Sequence, residues 1–143
     1  MDSMEFQLDD STPGKISVWI GTTTKGFDEF NAYYEGLEDP ESGCGIHRDF
    51  GCTFIDTDLF VTYGTADFEI VPIEQLCEEV GCNSRQTEQA IVERCRALGL
   101  HSGNVLSYYS DASFTEAEPG RSYNGMRFIG TFDDPMAPPK RMK

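Results

Sequence analysis

The sequence predicts an α+β domain: a mostly antiparallel sheet with helices packed on one face, including an αα-hairpin. Two patterns support this class. Some apolar residues alternate with a period of two, as in strands, and others recur every three or four residues, as in amphipathic helices. The patterns follow one another in the order β–α–β–α–α–β–β, an order typical of helices packed on an antiparallel sheet.

The length of the chain sets its domain organisation. With 143 residues it is long enough for one hydrophobic core but not for two. Residues 15–133 hold all the elements and form the expected single domain. Residues 1–14 are poor in apolar side chains and end in Pro-Gly, so they are predicted to be a flexible arm. The Pro-rich, basic residues 134–143 are predicted to be a frayed tail.

The clearest predicted strand is KISVWIG, at residues 15–21. Its aliphatic residues Ile16, Val18 and Ile20 point to one face of the sheet, and Trp19 points to the other. β-branched residues dominate the segment, which favours a strand. The alternation leaves two possibilities: either both faces of the sheet are covered, or Trp19 is partly exposed.

A helix and a long loop are predicted next. The helix begins at the threonines of residues 22–24 and ends at Gly36. Its stripe consists of Phe27, Phe30 or Asn31, and Tyr34. Residues after it, from 37 to 51, contain Gly, Pro and acidic clusters without periodicity, which predicts a long loop. Loops of that length in compact domains are often functional.

The middle of the chain predicts strands and then two helices. Residues 52–71 are rich in β-formers and indicate one or two strands, the better one at 59–65. An amphipathic helix follows Pro72, and a capping box at Asn83 begins a second one. Two such helices joined by a short turn form an αα-hairpin.

The last part of the chain predicts two more strands. They lie at residues 104–110 and, in the segment MRFIGTF, at 126–132. The polar residues between them, 111–125, contain Glu-Pro-Gly and Asn-Gly and are predicted to be a loop. The sequence has no internal repeat.

The charge of the chain is strongly acidic and unevenly distributed. The 25 Asp and Glu outnumber the 11 Lys and Arg, for a net charge of −14. Residues 1–79 hold 18 acids and 3 bases, a net −15, whereas residues 80–143 hold 7 and 8, a net +1. Such a charge repels nucleic acid and suits either a solubilising surface or a face that meets a basic protein.

The sequence also bears on where the protein acts. No stretch approaches the roughly 18 apolar residues of a membrane span, so no membrane partner is expected. The N-terminus MDSMEFQLDD is acidic where an export signal is positively charged. A cytoplasmic location with reduced thiols is therefore expected for the five cysteines.

No catalytic signature is found. A nucleophilic cysteine needs a base within reach, and Cys44, His47 and Cys52 lie close together in the predicted loop. Glycine-rich phosphate loops and nucleophile elbows are missing from the sequence, and paired acids are too common to be informative. The chain is therefore predicted not to be an enzyme, with a Cys/His-dependent catalytic domain as an alternative.

A zinc site is a second alternative. Residues Cys77, Cys82, Cys95 and His101 have the spacing C-x4-C-x12-C-x5-H, which is close to that of a zinc finger. The first and third of these cysteines lie on the apolar stripes of the two predicted helices, where buried thiols are usually core residues. No metal or other cofactor is therefore predicted.

Four short motifs, in order, carry a resemblance to a known family. They are VWIG at 18–21, a helix with acids and aromatics at 27–34, RDFG at 48–51 and FIGTF at 128–132. Over about residues 15–133 the chain resembles the immunity protein 22 family of bacterial polymorphic toxin systems. The resemblance implies an α+β fold, a characteristic tryptophan (here Trp19) and an antitoxin that neutralises a toxin encoded beside it.

The resemblance and the charge together predict a stoichiometric inhibitor of a cognate toxin. A basic nuclease is one class of toxin that an acidic inhibitor fits, because acids mimic phosphate and steer association. A general acidic adaptor without a toxin partner is the remaining alternative. The residues expected to contact the toxin are Glu38, Asp39, Glu41, Asp49, Asp56, Asp58, Tyr63, Asp67 and Glu69. Those expected to be structural are Trp19, Gly21, Cys77, Cys95, Phe128, Gly130 and Phe132.

Overall fold

A computed structural model describes residues 8–9, 13–52, 54–80, 85–116 and 120–134 of the chain. The helices in these residues are α1 (Phe27–Ala32), α2 (Gly45–Phe50), α3 (Ile73–Val80) and α4 (Arg85–Ala97). The strands are β1 (Leu8–Asp9), β2 (Lys15–Gly21), β3 (Phe60–Gly64), β4 (Val71–Pro72), β5 (Ser102–Gly103), β6 (Val105–Ser110), β7 (Ser113–Phe114), β8 (Ser122–Tyr123) and β9 (Met126–Asp133). A short 3-10 turn spans Ala66–Phe68. These elements form an α+β fold, as the sequence predicts.

The central feature is a five-stranded antiparallel sheet within the described residues, with the strand order β3-β6-β2-β9-β8. Strand β2 lies in the middle, with Ile16 opposite Ser110 of β6 and opposite Phe132 of β9. The register against β9 shifts between Val18 and Trp19. Two short antiparallel pairs, β1 with β7 and β4 with β5, lie outside this sheet.

The two faces of β2 build two separate cores. Ile16, Val18 and Ile20 pack against apolar residues of α3 and α4 on one face. Trp19 packs on the other face with residues of α1 and α2. The sequence predicted helices on one face only, but the structure has helices on both, because the large Trp19 ring on the second face also needs apolar cover.

An aromatic cluster surrounds Trp19, which is fully buried. Its ring stacks on Phe50 of α2 with centroids 4.7 Å apart, and Phe114 meets it edge-on at 5.1 Å. The ring of Phe128 lies 5.5 Å away, on the neighbouring strand β9. Aromatic pairs at these distances add to the free energy of burial. Of the two possibilities left by the alternation, covered faces are therefore the one observed.

Helix α1 is shorter than predicted, and α2 was not predicted. Residues 33–38 after α1 form turns instead of continuing the helix to Gly36. Within the predicted loop at 37–51, α2 forms because Ile46 and Phe50 are four residues apart and both bury their side chains. Glycines at its start hide this periodicity in the sequence.

The other predicted elements agree closely with the structure. The strand predicted at 59–65 is β3, and the one predicted at 104–110 is β6. The loop predicted at 111–125 contains the short strands β7 and β8. Helices α3 and α4 both form, but residues 81–84 between them lie outside the described part, so the αα-hairpin stays a prediction.

The predicted domain boundaries also stay predictions. In the N-terminal arm, Leu8 pairs with Phe114 of β7. At the other end, the backbone N–H of Asp134 donates to the Gly14 carbonyl oxygen at 2.8 Å. Residues 1–7, 10–12 and 135–143 lie outside the described part of the chain.

Replacing Gly21 by alanine is expected to destabilise the sheet. A Cβ at this position would lie 2.1 Å from the carbonyl oxygen of Gly125 and 2.7 Å from the Cα of Met126, so the backbone must move. We expect the free energy of unfolding to fall by about 2–3 kcal/mol. Urea denaturation measures it, with Gly26→Ala as a control.

The control position has open space, because no atom lies within 4 Å of a Cβ built on Gly26. Its change is expected to stay within about 1 kcal/mol, the range of a changed helix N-cap. Equal losses for the two variants would contradict the steric argument.

Candidate partner-binding surface

Five acidic residues lie where two loops meet at the start of β3, and we call them the acidic cluster: Glu38, Asp39, Glu41, Asp56 and Asp58. The loops are joined by backbone and side-chain contacts. The Ile55 N–H donates to the Leu37 carbonyl oxygen at 2.9 Å. The Glu38 carboxylate accepts from both the N–H and the hydroxyl of Thr57, at 3.0 and 2.8 Å. These bonds bring acids that are far apart in sequence to one place.

Hydrogen bonds hold three carboxylates of the acidic cluster, those of Glu38, Asp39 and Asp56. Asp39 accepts from the N–H of Glu41 at 3.0 Å, and Asp56 accepts from the N–H of Asp58 at 2.9 Å. The buried hydroxyl of Tyr109 accepts from the Asp56 N–H at 2.9 Å and so anchors the second loop to the core. The cluster is thus held by the fold.

The charge of Glu38 is secured by its two bonds to Thr57. Both bonds stabilise the ionised form and lower the pKa of the Glu38 carboxyl below its ordinary value. The side chain is exposed in spite of these bonds. The carboxylate therefore remains a negative charge that is open to a partner.

An open groove of about 560 Å³ lies at the other end of β3, and we call it the β3 groove. It is lined by α1, by β3 and by the turn after β3, with side chains of both apolar and polar character. The lining residues are Phe27, Phe30, Asn31, Thr62, Gly64, Thr65, Asp67 and Phe68. Strand β3, about 17 Å long, therefore runs from the acidic cluster into the β3 groove, whose lining begins at Thr62.

The floor of the β3 groove depends on an unusual turn. Asp67 and Phe68 have φ angles of 54° and 53°, in the left-handed region that residues with side chains rarely adopt. The Phe68 ring then folds over Gly64, where a Cβ would lie 2.5 Å from the ring. It also meets Phe30 edge-on, with centroids 5.5 Å apart.

Asn104 holds this turn in place. Its buried side-chain amide donates to the carbonyl oxygens of Phe68 and Thr23, both at 3.0 Å. Its side-chain oxygen accepts from the Thr23 N–H at 2.8 Å. One side chain thus joins the turn after β3 to the segment that leads into α1. The sequence offered no signal for this role.

Three large apolar residues are exposed among the described residues. Phe27 is 70% exposed, Ile70 57% and Phe54 44%. Phe27 was predicted to belong to a buried stripe with Phe30, but α1 makes fewer than two turns and buries Phe30 alone. A helix that short cannot bury a full stripe. Phe27, at its start, is therefore exposed and lines the β3 groove.

The remaining sequence-predicted contact residues lie in different places. Asp67 lines the β3 groove, and Glu69 follows the same turn and is exposed. The Tyr63 hydroxyl donates to Glu79 of α3 at 2.6 Å, which raises the pKa of the tyrosine. Tyr63 thus packs toward the α3 and α4 face, away from the acidic cluster.

Asp49 takes part in contacts within the protein. The Tyr33 hydroxyl donates to its carboxylate at 2.6 Å, and Arg121 forms an ion pair with it. Burial and the neighbouring carboxylate both raise the pKa of Tyr33. The Arg121 guanidinium also lies over the Tyr123 ring, 5.3 Å from its centroid. Through its ion pair with Arg121, Asp49 therefore links α2 to the residue that precedes β8.

The Cys/His segment is largely internal. Cys44 and His47 are buried, and the His47 Nε2 lies 2.8 Å from the Leu37 carbonyl oxygen. That distance indicates an N–H donor at Nε2. His47 therefore holds the backbone of Leu37, the residue before Glu38 of the acidic cluster. Cys52, the third residue of the segment, is half-buried.

The described residues include three of the four residues of the zinc alternative. Cys77 of α3 and Cys95 of α4 are buried in the same core, and His101 is exposed. Burial raises the pKa of the Cys95 thiol to about 12. Cys82 lies outside the described residues. Among those described, no three His, Cys, Asp or Glu are placed to hold a metal ion.

The residues expected to be structural lie in or beside the cores. Gly21 ends β2, and Gly130 lies opposite Val18 near the register shift. Phe128 packs against Trp19, and Phe132 packs against the core under α3 and α4.

The fold and this surface define a class of protein: an α+β domain with an acidic cluster at one end of an edge region of its sheet, strand β3, and a groove of mixed apolar and polar lining at the other end. The chain belongs to the immunity protein 22 family, because the family model of that description matches residues 16–133. Membership implies a toxin-neutralising role in general, with a cognate toxin as its protein partner, and suggests a non-catalytic inhibitor.

Other comparisons add no relatives. Neither the curated proteins nor the solved structures contain a match to the chain. In the described residues, no helix is long and apolar enough to span a membrane.

Proposed function

We propose that this protein neutralises one basic toxin by binding it stoichiometrically through the acidic cluster and the neighbouring edge of the sheet. The single observation that carries the proposal is the convergence of Glu38, Asp39, Glu41, Asp56 and Asp58, on a chain of a toxin-neutralising family. A toxin that acts on nucleic acid is basic at its active site, because its substrate is polyanionic. A nuclease is therefore the proposed target class.

The position of the acids supports fast association. Charges that lie together on one surface attract an oppositely charged partner over about 10 Å at moderate ionic strength. They raise the association rate and orient the encounter, whereas the apolar contacts that form afterwards supply most of the residence time. The acidic cluster suits the first step, and the β3 groove with exposed Phe27 suits the second.

Occlusion is the proposed mode of inhibition. The protein needs no chemistry of its own for this purpose: an acidic surface seated over a basic active site excludes the substrate phosphate by charge and by volume. The location is proposed to be the cytoplasm of the producing cell, where such a toxin meets its substrate.

Co-expression tests the function directly. Bacteria that express the toxin encoded beside this protein are expected to stop growing, and those that also express this protein are expected to grow normally. Growth arrest in the presence of the folded protein would contradict the proposal. Protection against several unrelated basic toxins would instead indicate a general acidic adaptor.

A further inference from the structure

Strand β3 is an edge of the five-stranded sheet, and its outward hydrogen-bonding groups can be assigned. The Leu59 carbonyl oxygen accepts from the Ser110 N–H, and the Thr65 N–H donates to the Asn104 carbonyl oxygen, both at 3.0 Å. In an antiparallel pair the residues that bond to the partner strand alternate. Val61 and Tyr63 therefore bond to β6, and the backbone groups of Thr62 and Gly64 point outward.

Strand β3 itself lacks the charged and proline residues that usually protect a sheet edge. Edge strands are normally blunted by Lys, Pro, bulges, very short length or a covering segment. The β3 sequence FVTYG contains no charged residue and no proline, in a chain with 25 acids and 11 bases. The described part of the chain places no strand beyond β3, whereas the opposite edge strand, β8, has two residues only.

The surroundings of β3 define the chemistry of a strand that would pair with it. The acidic cluster lies beside the first residue of β3. Asp67 lies in the turn after the last residue of β3 and lines the β3 groove. Between these charges the groove presents the exposed ring of Phe27 and the half-buried ring of Phe68, whereas the Phe30 ring in its lining is buried. An extended segment with basic residues toward its ends and an apolar side chain between them matches this order of surfaces.

We propose that the toxin adds an extended segment to the outer edge of β3, pairing with the backbone of Thr62 and Gly64 and placing an apolar side chain in the β3 groove. This inference rests on the proposed function, because the segment belongs to the same basic toxin. Backbone pairing supplies affinity at a sheet edge, and the groove and the acids supply selectivity.

Amide hydrogen exchange on the protein, free and mixed with the toxin encoded beside it, tests this pairing. The amides of Thr62 and Gly64 are expected to exchange quickly in the free protein and to slow at least about a hundredfold in the complex. The amides of Val61 and Tyr63 are already bonded to β6 and are expected to be slow in both states. This residue-by-residue alternation is specific to strand addition.

A proline at Thr62 tests the same contact by mutation. Thr62→Pro removes the outward N–H and leaves the bonds to β6 in place, since proline is tolerated where an edge N–H faces outward. Thr62→Val is the matched control, because it loses the same hydroxyl contact to Ser107 but keeps the N–H. The dissociation constant is expected to rise at least about tenfold for proline and less than about threefold for valine.

The outcomes separate this inference from the function on which it rests. If a complex forms and the Thr62 and Gly64 amides still exchange quickly, or if the two variants bind equally, strand addition is overturned and the toxin-binding function stands. If no complex forms, both fail. If both amides are protected without toxin, in a dimer of this chain, the occupant is a second copy and the inference is overturned. Should Thr62→Pro not fold, the exchange experiment on the unmodified protein decides.

Discussion

Replacing Trp19 by alanine is expected to lower the free energy of unfolding by about 4 kcal/mol. The ring is fully buried on the face of β2 that meets α2, and it contacts Phe50, Phe114 and Phe128 at centroid distances of 4.7, 5.1 and 5.5 Å. Removing it leaves a cavity between rigid aromatic neighbours. With a typical slope of about 2 kcal/mol per M, the urea midpoint falls by about 2 M.

Trp19→Phe is the matched control for this substitution. The indole N–H has no hydrogen-bond partner among the described residues, so a phenyl ring loses packing area but no hydrogen bond. We expect a loss of about 1–2 kcal/mol. Far-UV circular dichroism follows both variants, because the chain has one Trp and loses its fluorescence signal. Equal losses for alanine and phenylalanine would contradict the account of this core.

Neutralising Glu38, Asp39 and Glu41 together is expected to slow toxin association about tenfold at low ionic strength. Glutamine and asparagine keep an acceptor oxygen for the Thr57 and Glu41 bonds, so the loops retain their shape. The association rate falls because three charges no longer attract the basic partner, whereas the dissociation rate changes little. Stopped-flow mixing measures the association rate at low salt and at about 0.5 M salt, where exposed charges are largely screened.

The control triple lies on the opposite side of the sheet. Glu78→Gln, Glu88→Gln and Glu93→Gln on α3 and α4 change the net charge by the same amount. Association of this variant is expected to stay within about twofold of the unmodified protein. Equal slowing of association by both triple variants would assign the effect to net charge. If neither variant slowed association, the acids would serve only to keep the protein in solution. Both results would remove the acidic cluster from the proposed interface.

The sequence predicted the parts of the fold that repeat a simple period. Strand β2 and helices α3 and α4 keep their periodicity over several residues, and each of them was found within two residues of the expected start. The resemblance to the family was also readable from the chain, and two of its motifs, VWIG and FIGTF, lie on the paired strands β2 and β9.

The parts that could not be predicted depend on contacts between distant residues. Helix α2 has six residues, and its Ile46 and Phe50 are too few to reveal a period without knowing that Trp19 lies above them. The turn at Asp67 and Phe68 uses positive φ angles without glycine and exists because Asn104 holds it. No local rule anticipates such a turn.

The candidate surface also combines features that the sequence predicted with features that depend on contacts between distant residues. The acids were visible as a charge imbalance, but which of them come together depends on the bonds between Glu38 and Thr57. Tyr63 and Asp49 looked equivalent to the others in sequence, and the structure places them in contacts with Glu79 and with Arg121. Their roles in toxin binding remain predictions, and their positions favour the acidic cluster and the β3 groove as the main contacts.

Calorimetric titration of the purified protein with the toxin encoded beside it tests the central claim most directly. Neutralisation by occlusion requires a saturable complex, so the account predicts one protein per toxin and a dissociation constant in the nanomolar range, about −12 kcal/mol. Apolar contacts at the β3 groove predict that binding persists when salt screens the acidic cluster. Absence of a complex between the two folded proteins would contradict the account.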